Sequence, residues 1–280
     1  MKRLIVILST LVVAAVGAVA GAAPAHAMDV TAGYSGGRTA VAVYHPGGGW
    51  SGSPNAREPR PALSLSKLYL GYWVLHHAAP EDKARVEQMI RTSDDAIASL
   101  LDAHHPHAID QVARDFGLTS TRRGGHWGLS STSAYDVAKF LNDIRTDPVA
   151  WPLLNGMRTA APVAADGFPQ NYGTSHLPGA QGTKFGWSDD RVSLTASASF
   201  GPDWTAAALT NGDAAANTAD TLGAISPGLT GGPGAATSSA GPVELPLISL
   251  RDALRPYLPP AQLEQIPATI MIPAGPPVVR

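Results

Sequence analysis

Ser64-Leu65-Ser66-Lys67 sets a hydroxyl and an amine one helical turn apart, a spacing at which a lysine can act as base to a serine nucleophile. Lysine is scarce in this chain. Beyond residue 27 only Lys67, Lys83, Lys139 and Lys184 remain, and arginine fills most other cationic positions. Arginine keeps its proton, whereas a buried lysine can release one and activate a hydroxyl for attack on a carbonyl. The same residues also fit Ser64 as a helix N-cap and Lys67 as a solvated side chain.

The elements that would position this pair can be read around it. Leu65 to Leu75 is apolar on nearly every side, with Gly71 as its one breaker, and predicts a buried helix. Leu65, Leu68, Tyr69, Tyr72 and Leu75 form one stripe, and Ser64, Lys67, Gly71 and Val74 form another. Pro61 is expected to set the helix start, leaving Ser64 in a first turn whose free N–H groups favour negative charge. From Val86 to Ala103 a second helical pattern runs through Met89, Ile90, Ile97, Leu100 and Leu101, and Ser93 falls on its apolar face. Alternatively, Thr92 or Ser93 caps a new helix with Asp94 and Asp95 in its first turn.

A third group is Gly182-Thr183-Lys184-Phe185-Gly186-Trp187, followed by Asp189, Asp190 and Arg191. Clean alternation then places Val192, Leu194, Ala196, Ala198 and Phe200 on one face and Ser193, Thr195, Ser197 and Ser199 on the other. Gly201-Pro202-Asp203 turns the chain, and Trp204 to Leu209 returns it. Lys184 is thus expected on the first of three antiparallel strands.

Ser-x-x-Lys, Ser-Asp-Asp and Lys-Phe-Gly in this order resemble the three motifs of the penicillin-recognising serine family, which includes class A β-lactamases, D,D-peptidases and penicillin-binding proteins. The resemblance spans roughly residues 38–226, with a first strand at Thr39–Tyr44, a helix start at Ser131–Ala138 and a closing helix at Asp213–Ile225. It implies an α/β fold of the β-lactamase/transpeptidase type, a central antiparallel sheet flanked by helices with a mostly helical subdomain. It further implies Ser64 as nucleophile, Lys67 as base or proton shuttle, and Ser93 as proton relay. Lys184 would supply positive charge, and the backbone N–H groups of Ser64 and Trp187 would form an oxyanion hole. Asp95, Phe185, Gly186 and Arg191 would contact substrate, and no cofactor or metal is implied.

The departures bear on chemistry. Phe185 stands where the family has a threonine that helps bind a carboxylate, and it has no hydrogen-bonding group. Asp95 replaces an asparagine, so when ionised it would repel a substrate carbonyl. No glutamate occurs between Glu87 and Glu244 to activate a deacylating water, and Asp115 is the nearest acidic candidate before the loop expected at Arg122–Leu129. The interval from Lys67 to Ser93 is short for the family, which implies a more open cleft.

Composition bounds the remaining possibilities. Lys2 and Arg3, an apolar run from Leu4 to Val19 and the small-x-small triplet Ala25-His26-Ala27 predict a secretory signal peptide over residues 1–27, with a retained anchor as the alternative. The protein is then expected to be extracytoplasmic, touching membrane only through that segment. With no cysteine, the fold rests on its core alone, and about 250 mature residues suffice for one. Twenty basic and 22 acidic residues without a basic run give no support to nucleic-acid binding.

A domain over residues 28–226 is followed by a Gly/Pro/Ala/Ser linker, 227–242, and a tail, 243–280. Within the tail Ile248–Arg255 predicts a short amphipathic helix, and the tail could meet a protein partner. Asp147–Gly179, rich in Pro, Gly and Asn, reads as irregular rim. His76-His77 and His104-His105-Pro106-His107 read as solvated histidines without a positioned carboxylate, and His126-Trp127 as a packed aromatic beside a hydrogen-bonded histidine. Three functional readings follow. The first is a serine enzyme acylated by peptidoglycan stem peptides or β-lactams, with poor deacylation. The second is an inactive scaffold binding cell-wall peptide or protein. The third is a serine hydrolase of another ester or amide, with Phe185 and Trp187 forming an apolar acyl pocket.

Overall fold

A computed structural model describes residues 28–227, 247–249 and 271–273. In the first unit, β1 (Met28–Val30), β2 (Thr39–Tyr44), β3 (Trp50–Gly52) and the short β4 (Arg60–Pro61) lead to α1 (Ser66–His77). The helices α2 (Pro80–Lys83), α3 (Val86–Arg91), α4 (Asp95–His104) and α5 (Ala108–Asp115) follow, then β5 (Ser131–Thr132), α6 (Ala134–Ile144) and α7 (Trp151–Arg158). The chain closes with β6 (Gly182–Trp187), β7 (Leu194–Phe200), β8 (Thr205–Asn211), α8 (Ala214–Ala224) and β9 (Ile225–Pro227). Five strands make one antiparallel sheet in the order β3-β2-β8-β7-β6, and β1–β9 and β4–β5 form separate pairs.

Both faces of this sheet are covered, which is why β2 is buried along its whole length. Ala40, Ala42 and Tyr44 point into the main core with Leu68, Tyr69 and Phe140. Val41 and Val43, one residue out of phase, join Ala206, Ala208 and Ala224 on the α8 side. The alternation in β7 has a different consequence from the half-solvated strand that such a pattern ordinarily signals. Thr195, Ser197 and Ser199 are fully covered, and their hydroxyls bond Asn217, Thr174, Thr183 and the Gly212 carbonyl.

Several boundaries differ from the sequence reading. β7 starts at Leu194, because Asp190 Oδ1 accepts from the N–H groups of Val192 and Ser193 and holds them in a turn. The Val86–Ala103 pattern is two helices, broken at Thr92–Asp94, and the cap of the second is Asp94, which accepts from Ile97 N–H. Asp147–Gly179 contains α7, whose Pro152 sits at its tolerant first turn and whose Gly156 lets it cross α3 closely. A Cβ at Gly156 would lie 2.9 Å from Ile90 Cβ, so this glycine serves packing.

In the second unit, Gly231–Arg280, β10 (Leu247–Ser249) pairs antiparallel with β11 (Met271–Pro273). A helix therefore does not begin at Ile248. The rest of the expected linker and tail helix, and the expected signal segment, lie outside the described residues. Among the described residues no helix is long and apolar enough to cross a membrane.

Candidate active site

Ser64 sits in a 3-10 turn, Leu63–Leu65, that runs directly into α1. The start is set differently from the expectation at Pro61, which is extended and pairs with Ser131. Instead Leu63 takes a left-handed backbone, φ 51°, and reverses the chain into the turn. Ser93 (φ 52°) and Arg191 (φ 65°) are the other described non-glycine residues with positive φ. All three border one site, and such conformations are costly enough to persist only where the surroundings hold them.

Lys67, fully buried on α1, places Nζ 2.8 Å from Ser64 Oγ, 3.0 Å from Ser93 O and 3.3 Å from Ser93 Oγ. Its shortest contact is to Asp95 Oδ1, at 2.5 Å. The face of Trp127 lies over the same amine, 4.3 Å from ring centroid to Nζ. Lys184, also fully buried, donates from Nζ to Ser93 Oγ and to the Phe185 carbonyl, each at 2.7 Å. Ser93 Oγ therefore joins the two amines. The inward aim of Ser93 comes from its left-handed loop conformation and not from a helix face.

Burial pushes the Lys67 ammonium below its ordinary value, while the Asp95 carboxylate, and Asp94 and Asp166 beyond it, pull the other way. Lys184 is pushed further down, first by burial and then by the charge of Lys67, with only partial compensation from Asp95 and Asp166. Two amines in one dry site thus favour states with fewer than two protons between them.

Gly186 lies against the nucleophile's backbone. A Cβ there would fall 2.9 Å from both Ser64 N and Leu63 Cβ, so only glycine lets β6 approach this closely. β6 is an edge strand, and Ser188 N–H bonds Leu194 O across the pair. In an antiparallel ladder alternate residues bond the partner, so the N–H of Trp187 turns to the open edge beside Ser64. Ser64 N–H and Trp187 N–H can therefore converge on one acceptor.

A cavity of about 390 Å³ opens over these groups, lined by Ser64, Asp95, Trp127, Asp166, Trp187 and Arg191 among others. A larger but shallower depression, about 540 Å³ between Asp110 and Arg122, holds none of them. Arg191 lies at the rim and donates to the Asp166 carbonyl at 2.8 Å. Phe185 is placed elsewhere: strand alternation turns its ring away into a cluster with Phe168 and Tyr172, and it does not line the cavity. Asp115 accepts from Gln111 on the exposed side of α5 and is likewise outside the cavity. Asp166 is the residue the sequence reading missed. Its Oδ2 accepts from Trp187 Nε1 at 2.9 Å, and the available signal was that it is the one acidic residue between Asp147 and Asp189, set in a turn before Gly167.

The histidines also depart from expectation, because carboxylates are positioned among them. Asp147 meets His76, and Asp82 meets both His104 and His105. His126 accepts from Gly128 N–H, and Trp127 is packed with its Nε1 on Ser99, as read.

No family model matches this chain, and no curated protein matches it. Solved structures do. A reconstructed ancestral class A β-lactamase of Gram-negative bacteria superimposes with a TM-score of 0.52 at 19% identity, covering 68% of this chain and 92% of that one. A second reconstruction of that ancestor gives 0.51 at 21% identity, covering 68% and 91%. A halotolerant bacterial β-lactamase gives 0.50 at 14%, covering 63% and 85%. At these identities the likeness is one of fold, and with the antiparallel sheet flanked by helices the resemblance read in the sequence holds at the level of architecture: this chain has the fold of the class A β-lactamases.

Proposed function

We propose that this protein is an extracytoplasmic serine acyl-transfer enzyme that forms an acyl-enzyme at Ser64 with peptidoglycan stem peptides or β-lactams. The observation that carries this reading is the 2.8 Å approach of a fully buried lysine amine to the Ser64 hydroxyl. Neutral Lys67 takes the Ser64 proton as Oγ attacks the carbonyl carbon. The N–H groups of Ser64 and Trp187 stabilise the oxyanion, a contribution of several kcal/mol. The proton then passes from Lys67 through Ser93 Oγ to the leaving amine, and Lys184 holds Ser93 in place for the transfer. Deacylation is slow in this scheme, because Asp95 is engaged by Lys67 and Asp166 by the Trp187 indole.

The test is intact-mass spectrometry after incubation with benzylpenicillin, beside a Ser64→Ala control. A Ser64-dependent adduct that persists for hours is the expected result; its absence in folded protein overturns the proposal. One observation favours a second reading, an inactive binding scaffold: the 2.5 Å Lys67–Asp95 contact sets a carboxylate against the amine and opposes the loss of its proton. That reading predicts labelling by neither penicillin nor a fluorophosphonate. A hydrolase of another ester or amide would be labelled by the fluorophosphonate alone, with Trp187, Leu63 and Leu129 rather than Phe185 lining its acyl pocket.

A further inference from the structure

α1 and α4 both start at the Ser64 site, and both end in a cluster of histidines. The end of α4 lies about 14 Å along the helix from Asp95. There His104 Nδ1 and His105 Nε2 converge on one carboxylate oxygen, Oδ2 of Asp82 on α2, at 3.1 and 2.9 Å. One ligand atom from each of the three residues lies within 4.8 Å of the others. Ligands of a tetrahedral zinc ion, bound at about 2.0 Å, stand about 3.3 Å apart, so the two nitrogen-to-oxygen spacings need only a small expansion. The carboxylate is nearly buried and fixed, while His104 is half exposed, 49% for its side chain, which leaves an entry path and room for water as a fourth ligand.

We propose that Asp82, His104 and His105 form a site for a borderline divalent transition metal such as zinc, stapling α2 to the end of α4. Two imidazoles and one carboxylate suit zinc, nickel, copper and cobalt better than the all-oxygen shells of calcium or magnesium. Coordination requires each imidazole to carry its N–H on the ring nitrogen turned away from Asp82, so the metal replaces those two hydrogen bonds with coordination. The site is remote from Ser64 and acts on stability rather than on acylation. Trp73 stands next to it, its ring 5.0 Å from that of His105 and 4.7 Å from that of His77.

The full-length protein, purified without a histidine tag and stripped with chelator, is titrated with zinc chloride by calorimetry and with cobalt(II) by visible absorption. One ion per chain, a melting temperature raised by several degrees and intense tetrahedral cobalt bands are expected. His104→Gln and His105→Gln each weaken binding at least tenfold, while His77→Gln, which keeps all three ligands, leaves it unchanged. Absence of binding by the parent protein overturns the proposal. So does equal weakening by His77→Gln, which means adventitious surface coordination only, or a His104→Gln variant that titrates like the parent.

Discussion

Two buried polar regions lie against the same sheet and are built on opposite terms. Under α8, Ser197 Oγ accepts from Thr174 N–H and donates to Asn217 Oδ1, while Asn217 Nδ2 reaches Thr210 Oγ1 and Ala208 O. These groups carry no charge and are paired, so their burial supports the fold. Across the sheet, Lys67 and Lys184 bring two amines against one hydroxyl, with Asp95 as their nearby carboxylate. That arrangement costs stability in any state that charges both, and it persists because the fold around it is otherwise satisfied. The contrast separates residues held for packing from residues held for reactivity.

Substitutions can break the contrast. Lys67→Met should lower the rate of penicillin adduct formation by about 10²–10⁴-fold without lowering the melting temperature, which is followed by mass spectrometry and calorimetry. An unchanged rate would remove Lys67 from the chemistry. Ser197→Ala should behave in reverse, with a loss of about 1–3 kcal/mol in denaturant unfolding and an unchanged adduct rate, because Asn217 and Thr174 lose their partner. Gly173→Ala belongs with it, since Gly173 has φ 62° and a Cβ there would overlap Asn217 and Ser197. Its failure to destabilise would mean that the hydroxyl network is loose.

Lys184→Met should slow acylation yet raise stability, by an amount on the order of 1 kcal/mol near neutral pH. The sign follows from linkage: the folded value of Lys184 lies below its unfolded one, near 10.5, so the unfolded chain binds more protons between the two values and parent stability rises with pH across that window. The advantage of the methionine variant should therefore shrink as pH approaches 10.5, checked by urea unfolding at neutral and alkaline pH. The smallest effect expected is a displacement of a pH profile. Adduct formation should climb with pH about a midpoint below 10.5, where Lys67 loses its proton, and Asp95→Asn should move that midpoint lower by removing the carboxylate that opposes burial. A midpoint that moves upward would assign the titration to another group.

Much of the site was legible because its chemistry needs particular residues at short spacings. A serine and lysine at i and i+3, and few other lysines, are visible as letters. Asp166, Phe185 and the histidines were harder. Asp166 lies in a turn whose partner across space is Trp187, 21 positions away. Phe185 occupies a motif position, but the pleat of β6 sends its ring to Tyr172, and the motif alone carries no information about which face is wet.

The sequence by itself determined the order of the elements, the Ser64–Lys67 pair and the antiparallel run from β6 to β8, because helical and strand periods and turn residues are local properties. Tertiary structure decided the rest: that Ser93 bends into the site on a left-handed residue, that Asp95 meets Lys67, and that Asp82 gathers two histidines. Each of these depends on where separate elements come to rest against a shared core. Only that packing sets which charges are dry and which atoms are neighbours.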